Sequence, residues 1–281
     1  MNKFIAGAVV TTGLLLSAEA IAESYTKSTT YMHDLTSSKN KSIAYSFDTE
    51  FSRAGDGSQK FYLITGNCGR DKHGSDCTRD AERVERIASK DHSPGKTYWY
   101  SYSVMYPEVN EVSTYHTKVP TVLGQVKAFG VDKPIWIMKH RNGKIEMDVH
   151  FAGDDPAGKN GGDGEYCTMG RESLMIGKWM DVLIKADYSS KQKDGHSYFQ
   201  VWINGEEVCD ITDTIVNKHT WSDRYANKGK KLSFRYGIYN FKLSKFNGTV
   251  PNRVVYFDEV KSGKTKNSVL INTNLFLNLI L

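Results

Sequence analysis

Three short segments carry side chains whose chemistry and spacing suit work on an acidic substrate. The first is Ser233-Phe234-Arg235-Tyr236-Gly237-Ile238-Tyr239-Asn240-Phe241, dense in β-formers. On a strand, alternation puts Arg235, Gly237 and Tyr239 on one face and Tyr236, Ile238 and Asn240 on the other. A glycine among bulky neighbours leaves room for a ligand or another backbone to approach. Arg235 and Tyr239 flank that gap, and a cation beside a phenol favours the phenolate, lowering a pKa that starts at about 10. In purely structural terms the same segment reads as a tyrosine-rich strand with a bulge glycine.

The second segment is Arg79-Asp80-Ala81-Glu82-Arg83-Val84-Glu85-Arg86. Alternation places Arg79, Ala81, Arg83 and Glu85 together, with Glu82 and Arg86 opposite. Arg83 is a fork for a carboxylate and Glu85 a partner that holds the guanidinium in place. Without a ligand to bind, such a run is a solvated helix or an edge strand. In the third, Leu123-Gly124-Gln125-Val126-Lys127-Ala128-Phe129, Gln125 and Lys127 share a face. An amide donates to a carboxylate, and an ammonium adds charge or moves a proton.

The elements that must position these groups are strands. Tyr98 to Tyr106 stops at Pro107 as a strand does, and Trp179 to Lys185 and Val254 to Val260 read the same way. Two runs flank Asn142-Gly143, and two more flank Asn204-Gly205. Asn-Gly between alternating runs signals a hairpin, because a type I′ turn needs positive φ at both central residues. No long stretch carries a 3.6-residue apolar period outside the N-terminus. Many short strands with glycine-rich turns predict an all-β sandwich or jelly roll of two antiparallel sheets.

The chain has 281 residues, 39% hydrophobic and 12% aromatic, enough to bury a full core in one domain. Lys3, the apolar run Phe4–Leu16 and Ala20-Ile21-Ala22 form the grammar of a secretory signal peptide over residues 1–22. Residues 23–265 then read as a single domain, and the apolar tail 266–281 has no assigned role. A secreted or periplasmic location follows, so the four cysteines are expected to pair as Cys68–Cys77 and Cys167–Cys209. A formal charge of +5 gives a mild attraction for polyanions. No apolar stretch reaches the ~18–20 residues of a membrane span, and no basic helix favours nucleic acid. Phosphate-loop and dinucleotide patterns are absent, and a monomer without cofactor is expected. The one candidate for calcium is the loop bearing Asp154, Asp155, Asp163 and Glu165, through oxygen ligands and without EF-hand spacing.

Taken together, Arg83-Val84-Glu85, Gln125-Val126-Lys127 and Phe234-Arg235-Tyr236-Gly237-Ile238-Tyr239-Asn240 resemble the signature trio of jelly-roll polysaccharide lyases. Alginate lyases of that fold carry Arg-Ser/Thr-Glu, Gln-Ile/Val-His and Tyr-Phe-Lys-Ala-Gly-x-Tyr-Asn-Gln. Trp99-Tyr100-Ser101-Tyr102-Ser103 and Tyr256-Phe257-Asp258-Glu259-Val260 look closer to the group of glucuronan lyases and heparin lyase I. The hairpin around Asn204-Gly205 resembles that of concanavalin-like jelly rolls.

The resemblance implies a concanavalin-like sandwich and β-elimination in a uronic-acid polymer. Arg83 and Gln125 would neutralise the substrate carboxylate, and Tyr239 would protonate the departing O4. Arg235 would poise that phenol, while Tyr236, Asn240 and Glu85 would line or support the substrate. Lys127 stands where the alginate lyases have histidine, so the base is Lys127, Tyr239 or a histidine from elsewhere. His116 is the first choice among the histidines, followed by His92 and His150. Two rivals remain. A binding module would hold an acidic glycan without cutting it. Glu146-Met147-Asp148-Val149-His150 imitates the Glu-x-Asp-x-Glu strand of laminarinase-type hydrolases, but its third position is no carboxylate, and a retaining glycosidase needs two.

Overall fold

A computed structural model describes residues 34–35, 44–66, 69–71, 74–108, 118–128, 134–150, 164–189, 191–215 and 231–271. Its strands are β1 (Asp34–Leu35), β2 (Tyr45–Asp48), β3 (Ser58–Leu63), β4 (Gly69–Asp71), β5 (Gly74–Ser75), β6 (Ala81–His92), β7 (Thr97–Met105) and β8 (Thr121–Ala128). They continue as β9 (Trp136–Arg141), β10 (Lys144–His150), β11 (Gly164–Arg171), β12 (Met180–Asp187), β13 (Phe199–Ile203), β14 (Glu206–Ile211), β15 (Leu232–Phe241) and β16 (Arg253–Gly263). One large sheet has the order β11-β10-β9-β8-β15-β6, the other β14-β13-β12-β7-β16-β3-β2, and β1-β4-β5 form a small third one, with antiparallel pairing throughout. This is the expected two-sheet sandwich.

Both Asn-Gly pairs turn hairpins. Asn142 and Gly143 have φ of 53° and 69°, Asn204 and Gly205 of 50° and 90°. Aromatic side chains fill the space between the sheets. Tyr100, Tyr102, Trp136, Phe234 and Phe257 are fully buried there, with Tyr100 and Phe234 ring centroids 4.8 Å apart. Each such ring pair contributes about 0.5–1.5 kcal/mol beyond the area it buries. On β15 the residues Phe234, Tyr236 and Ile238 join this core, so Arg235 and Tyr239 face outward.

Two departures from regular pairing shape β15. Tyr236 pairs with Gly124 of β8 but Tyr239 with Val122, so β15 holds one extra residue there, a bulge. Gly237 sits in it at φ +134°, and a Cβ would lie 2.3 Å from the Val84 carbonyl oxygen of β6. The gap left by the glycine is therefore filled by another backbone.

Cys167 and Cys209 are disulfide-bonded, joining β11 to β14, the edge strands of the two sheets. Closing a separation of 42 residues is worth about 4 kcal/mol in the chain-entropy picture. Cys77 is disulfide-bonded as well; Cys68, its expected partner, lies outside the described residues.

Candidate active site

The β6–β15 pairing sets Tyr239 opposite Arg83 and Gly237 opposite Glu85. The Arg83 guanidinium lies over the Tyr239 ring, 4.0 Å from its centroid. Its Nε and Nη2 donate to the two oxygens of Asp76 at 2.6 and 2.8 Å, and Nη1 donates to Glu85 at 3.0 Å. From β8, Gln125 Nε2 donates to the other Glu85 oxygen at 2.5 Å. Glu85 thus fixes the guanidinium and the amide at once. Asp76 stands immediately before the disulfide-bonded Cys77, which anchors the turn that carries it.

These contacts set the electrostatics. Burial alone would depress the Arg83 pKa, but Glu85 and Asp76 outweigh it and hold the group above the ordinary arginine value. Two carboxylates compensate that one cation, so Arg83 offers directed N–H groups rather than surplus charge. Burial pushes the Tyr239 phenol up; Arg83 pulls it down, while Asp76 and Glu85 push it up again. The net direction is upward, which corrects the expectation of a phenolate: Tyr239 rests protonated.

Arg83, Gln125, Lys127 and Tyr239 line one cleft of about 760 Å³ on the outer face of the six-stranded sheet. Seven lysines and arginines line it against two carboxylates, Glu146 and Asp148. Lys118, Lys242 and Lys245 supply charge near the ends of β8 and β15. Farther across the sheet, Lys139 of β9 pairs with Asp148 and, at 3.6 Å, with Glu146. Glu146, Asp148 and His150 do alternate into this cleft together, but Lys139 occupies both carboxylates. His150 Nδ1 lies 3.0 Å from the Pro134 carbonyl. A carbonyl only accepts, so Nδ1 carries a proton.

Several expected site residues fall elsewhere. Arg235 does not poise Tyr239: it pairs across β15–β8 with Gln125, and its Nε donates to Ser233 Oγ at 3.4 Å. The cation at the phenol is Arg83, which the β6–β15 register sets opposite Tyr239. Tyr236 is 3% exposed and donates to Gln59 Oε1 at 2.6 Å inside the core, so it does not reach a substrate. Asn240 is fully buried, its amide donating to the Pro120 carbonyl at 3.1 Å and to Thr121 at 2.6 Å. Glu85 is 2% exposed and serves Arg83 and Gln125 from beneath. His92 stacks on Tyr98 at 3.9 Å and bonds Tyr100 between the sheets, away from the cleft. His116 lies outside the described residues, as do Asp154, Asp155 and Asp163.

Asp76, Lys139 and the three rim lysines were not singled out from sequence. A lysine inside the apolar run Ile135-Trp136-Ile137-Met138-Lys139 was the available signal for one of them. Among the described residues no group of three or more His, Cys, Asp or Glu side chains is arranged to hold a metal ion.

A family model described as polysaccharide lyase matches residues 25–261. The chain belongs to that family and is a polysaccharide lyase. Solved structures share its fold. An endo-β-1,4-glucuronan lyase from the fungus Trichoderma reesei superposes with a TM-score of 0.60 at 15% identity, covering 85% of this chain and 97% of that one. A family 7 alginate lyase, A1-II′, in complex with product gives 0.52 at 15% identity, covering 84% and 94%. A GH131 β-glucanase catalytic domain from Podospora anserina gives 0.51 at 10% identity, covering 85% and 86%. One scaffold therefore carries elimination and hydrolysis. The chain matches none of the curated proteins compared with it.

Proposed function

We propose that this lyase is secreted or periplasmic and cleaves a uronate-containing anionic polysaccharide by β-elimination. The observation that carries the reading is the meeting of Arg83, Gln125, Lys127 and Tyr239 in one cleft whose lining is predominantly cationic. Elimination removes the C5 proton α to a carboxylate and expels the O4 substituent. Its transition state gathers negative charge on that carboxylate, where N–H donors held in advance act most strongly. Arg83 and Gln125, both fixed by Glu85, supply those donors. Because the Arg83 charge is compensated, neutralisation falls to the rim lysines Lys118, Lys242 and Lys245. Tyr239, protonated at rest, gives its proton to O4 as the bond breaks. Lys127 takes the C5 proton, in the role of the histidine of the alginate-lyase motif. The cationic lining supports an acidic glycan over a neutral one, and the expected signal peptide and the disulfides support export.

The test is ultraviolet absorbance of 4,5-unsaturated product across a panel of uronate polymers. Wild type is expected to release it from at least one, and Tyr239→Phe to lose it by a factor of about a thousand or more while still binding that polymer. A binding module would release none, and full activity in Tyr239→Phe would remove the phenol from the mechanism.

A further inference from the structure

Asp148 lines the cleft but is not used by the chemistry above. It is 5% exposed, and one of its carboxylate oxygens pairs with Lys139. The other, Oδ1, is buried with no hydrogen-bond partner. An acceptor left unsatisfied in this way costs stability unless something donates to it. Directly across the β10–β11 pairing stands Tyr166, 69% exposed and also lining the cleft. Lys139 Nζ lies 5.5 Å from the centroid of its ring. An aromatic side chain so open to solvent, beside a buried acceptor lacking a donor, is a pairing suited to a sugar: the ring offers a stacking surface and the carboxylate takes a hydroxyl.

Its distance from the reacting centre follows from register. Gln125, Ile137, Asp148 and Tyr166 are successive cross-strand partners on β8, β9, β10 and β11. At roughly 4.8 Å per strand, Tyr166 lies about 14 Å from Gln125 in backbone terms. A ring stacked there is a different sugar from the one held by Gln125 and Arg83. Local charge then selects its kind. Asp148 and Glu146 balance Lys139 and Arg141, leaving no surplus positive charge beside Tyr166, whereas Lys118, Lys242 and Lys245 lie toward β8 and β15. A second uronate carboxylate at this place would meet the Asp148 oxygen, with no proton to donate.

We infer that the β10–β11 side of the cleft is a subsite for an uncharged sugar ring, which stacks on Tyr166 and donates a hydroxyl hydrogen bond to Asp148 Oδ1. Resting on the proposed uronate chemistry, this makes the preferred substrate a mixed polymer in which uncharged sugars stand among the uronates.

Steady-state kinetics of the full chain on the uronate polymer it cleaves fastest test this directly. Tyr166→Ala is expected to raise KM about tenfold with a much smaller change in kcat, and Tyr166→Phe to restore it. Asp148→Asn, which turns the acceptor into an amide, is expected to raise KM by about tenfold or more; Lys139 keeps Glu146, and exposed Tyr166 gives a second readout if Asp148→Asn folds poorly. Mass spectrometry of limit products is expected to find uncharged sugars near the new ends. A KM within twofold of wild type for Tyr166→Ala, or a pure polyuronate as the best substrate, overturns the inference while leaving the elimination reading intact. Calorimetry of the Tyr239→Phe protein with a neutral β-1,4-glucan oligosaccharide separates the two. Weak binding that Tyr166→Ala abolishes supports the subsite even if no uronate polymer is cleaved, and binding that Tyr166→Ala leaves unchanged, or none at all, removes it.

Discussion

At Tyr239 burial and one nearby guanidinium pull against each other, and burial prevails. A phenol held above its ordinary value donates its proton well into alkaline pH and serves poorly as a resting base. The alkaline limb of kcat/KM that reports Tyr239 as acid is therefore expected above about pH 10, the ordinary tyrosine value. A limb well below that value in a pH–rate profile would assign the acid to a different group. The residue scale is also where sequence reading reached least far. Tyr239, Gln125, Arg83 and Lys127 could be marked by type and alternation, and they do converge. The partner of Arg83 could not: Asp76 lies in a polar turn with nothing in its spacing to single it out, and only the folded chain brings its carboxylate to the guanidinium. The cation assigned to the phenol was wrong for a related reason. Arg235 shares a strand face with Tyr239, but cross-strand register, not alternation, decides which cation covers the ring.

Among the elements, β15 does the most to assemble the cleft, through its bulge. Gly237 keeps a positive φ there, and any side chain would press on the Val84 carbonyl and, at 2.9 Å, on Phe61. Gly237→Ala is expected to destabilise the fold by about 1–3 kcal/mol. Because the same substitution shifts Tyr239 against Arg83 and Glu85 against Gln125, activity should fall by more than the folded fraction does. Urea unfolding monitored beside kcat at a concentration where the variant is folded would check this, and an unperturbed kcat would mean the bulge does not set the site. Glycine at this place was legible as a sign of close approach. That the visitor is the neighbouring strand rather than a ligand was not, since the sequence does not say which strand lies beside β15. The hairpins were more transparent: Asn142-Gly143 and Asn204-Gly205 specify their own turns through local φ preferences, without help from distant contacts.

For the whole molecule, the aromatic core that made the chain readable as a sandwich also fixes its response to alkali. Burial raises the phenols of Tyr100, Tyr102 and Tyr188 far above the ordinary value and pushes Tyr236 up to about 12. Unfolded, all four ionise at about pH 10. The native state holds their protons longer, so its advantage is complete below about pH 10 and drains away as pH rises toward and past the folded values. The melting temperature should stay level to about pH 9.5 and then drop steeply, with tyrosinate absorbance rising together with unfolding rather than ahead of it. Ionisation of these phenols in a still-folded protein would show that the interior is more open than the packing implies.

The covalent tie between β11 and β14 has a bearing on solubility. Among the described residues each is the last strand of its sheet and borders a strand on one side only, leaving backbone donors and acceptors along the other margin that another molecule could zip onto. Fastening the two margins to each other leaves them little freedom to splay outward. In a reducing environment that fastening would be lost, and self-association would compete with catalysis for the same corner of the molecule.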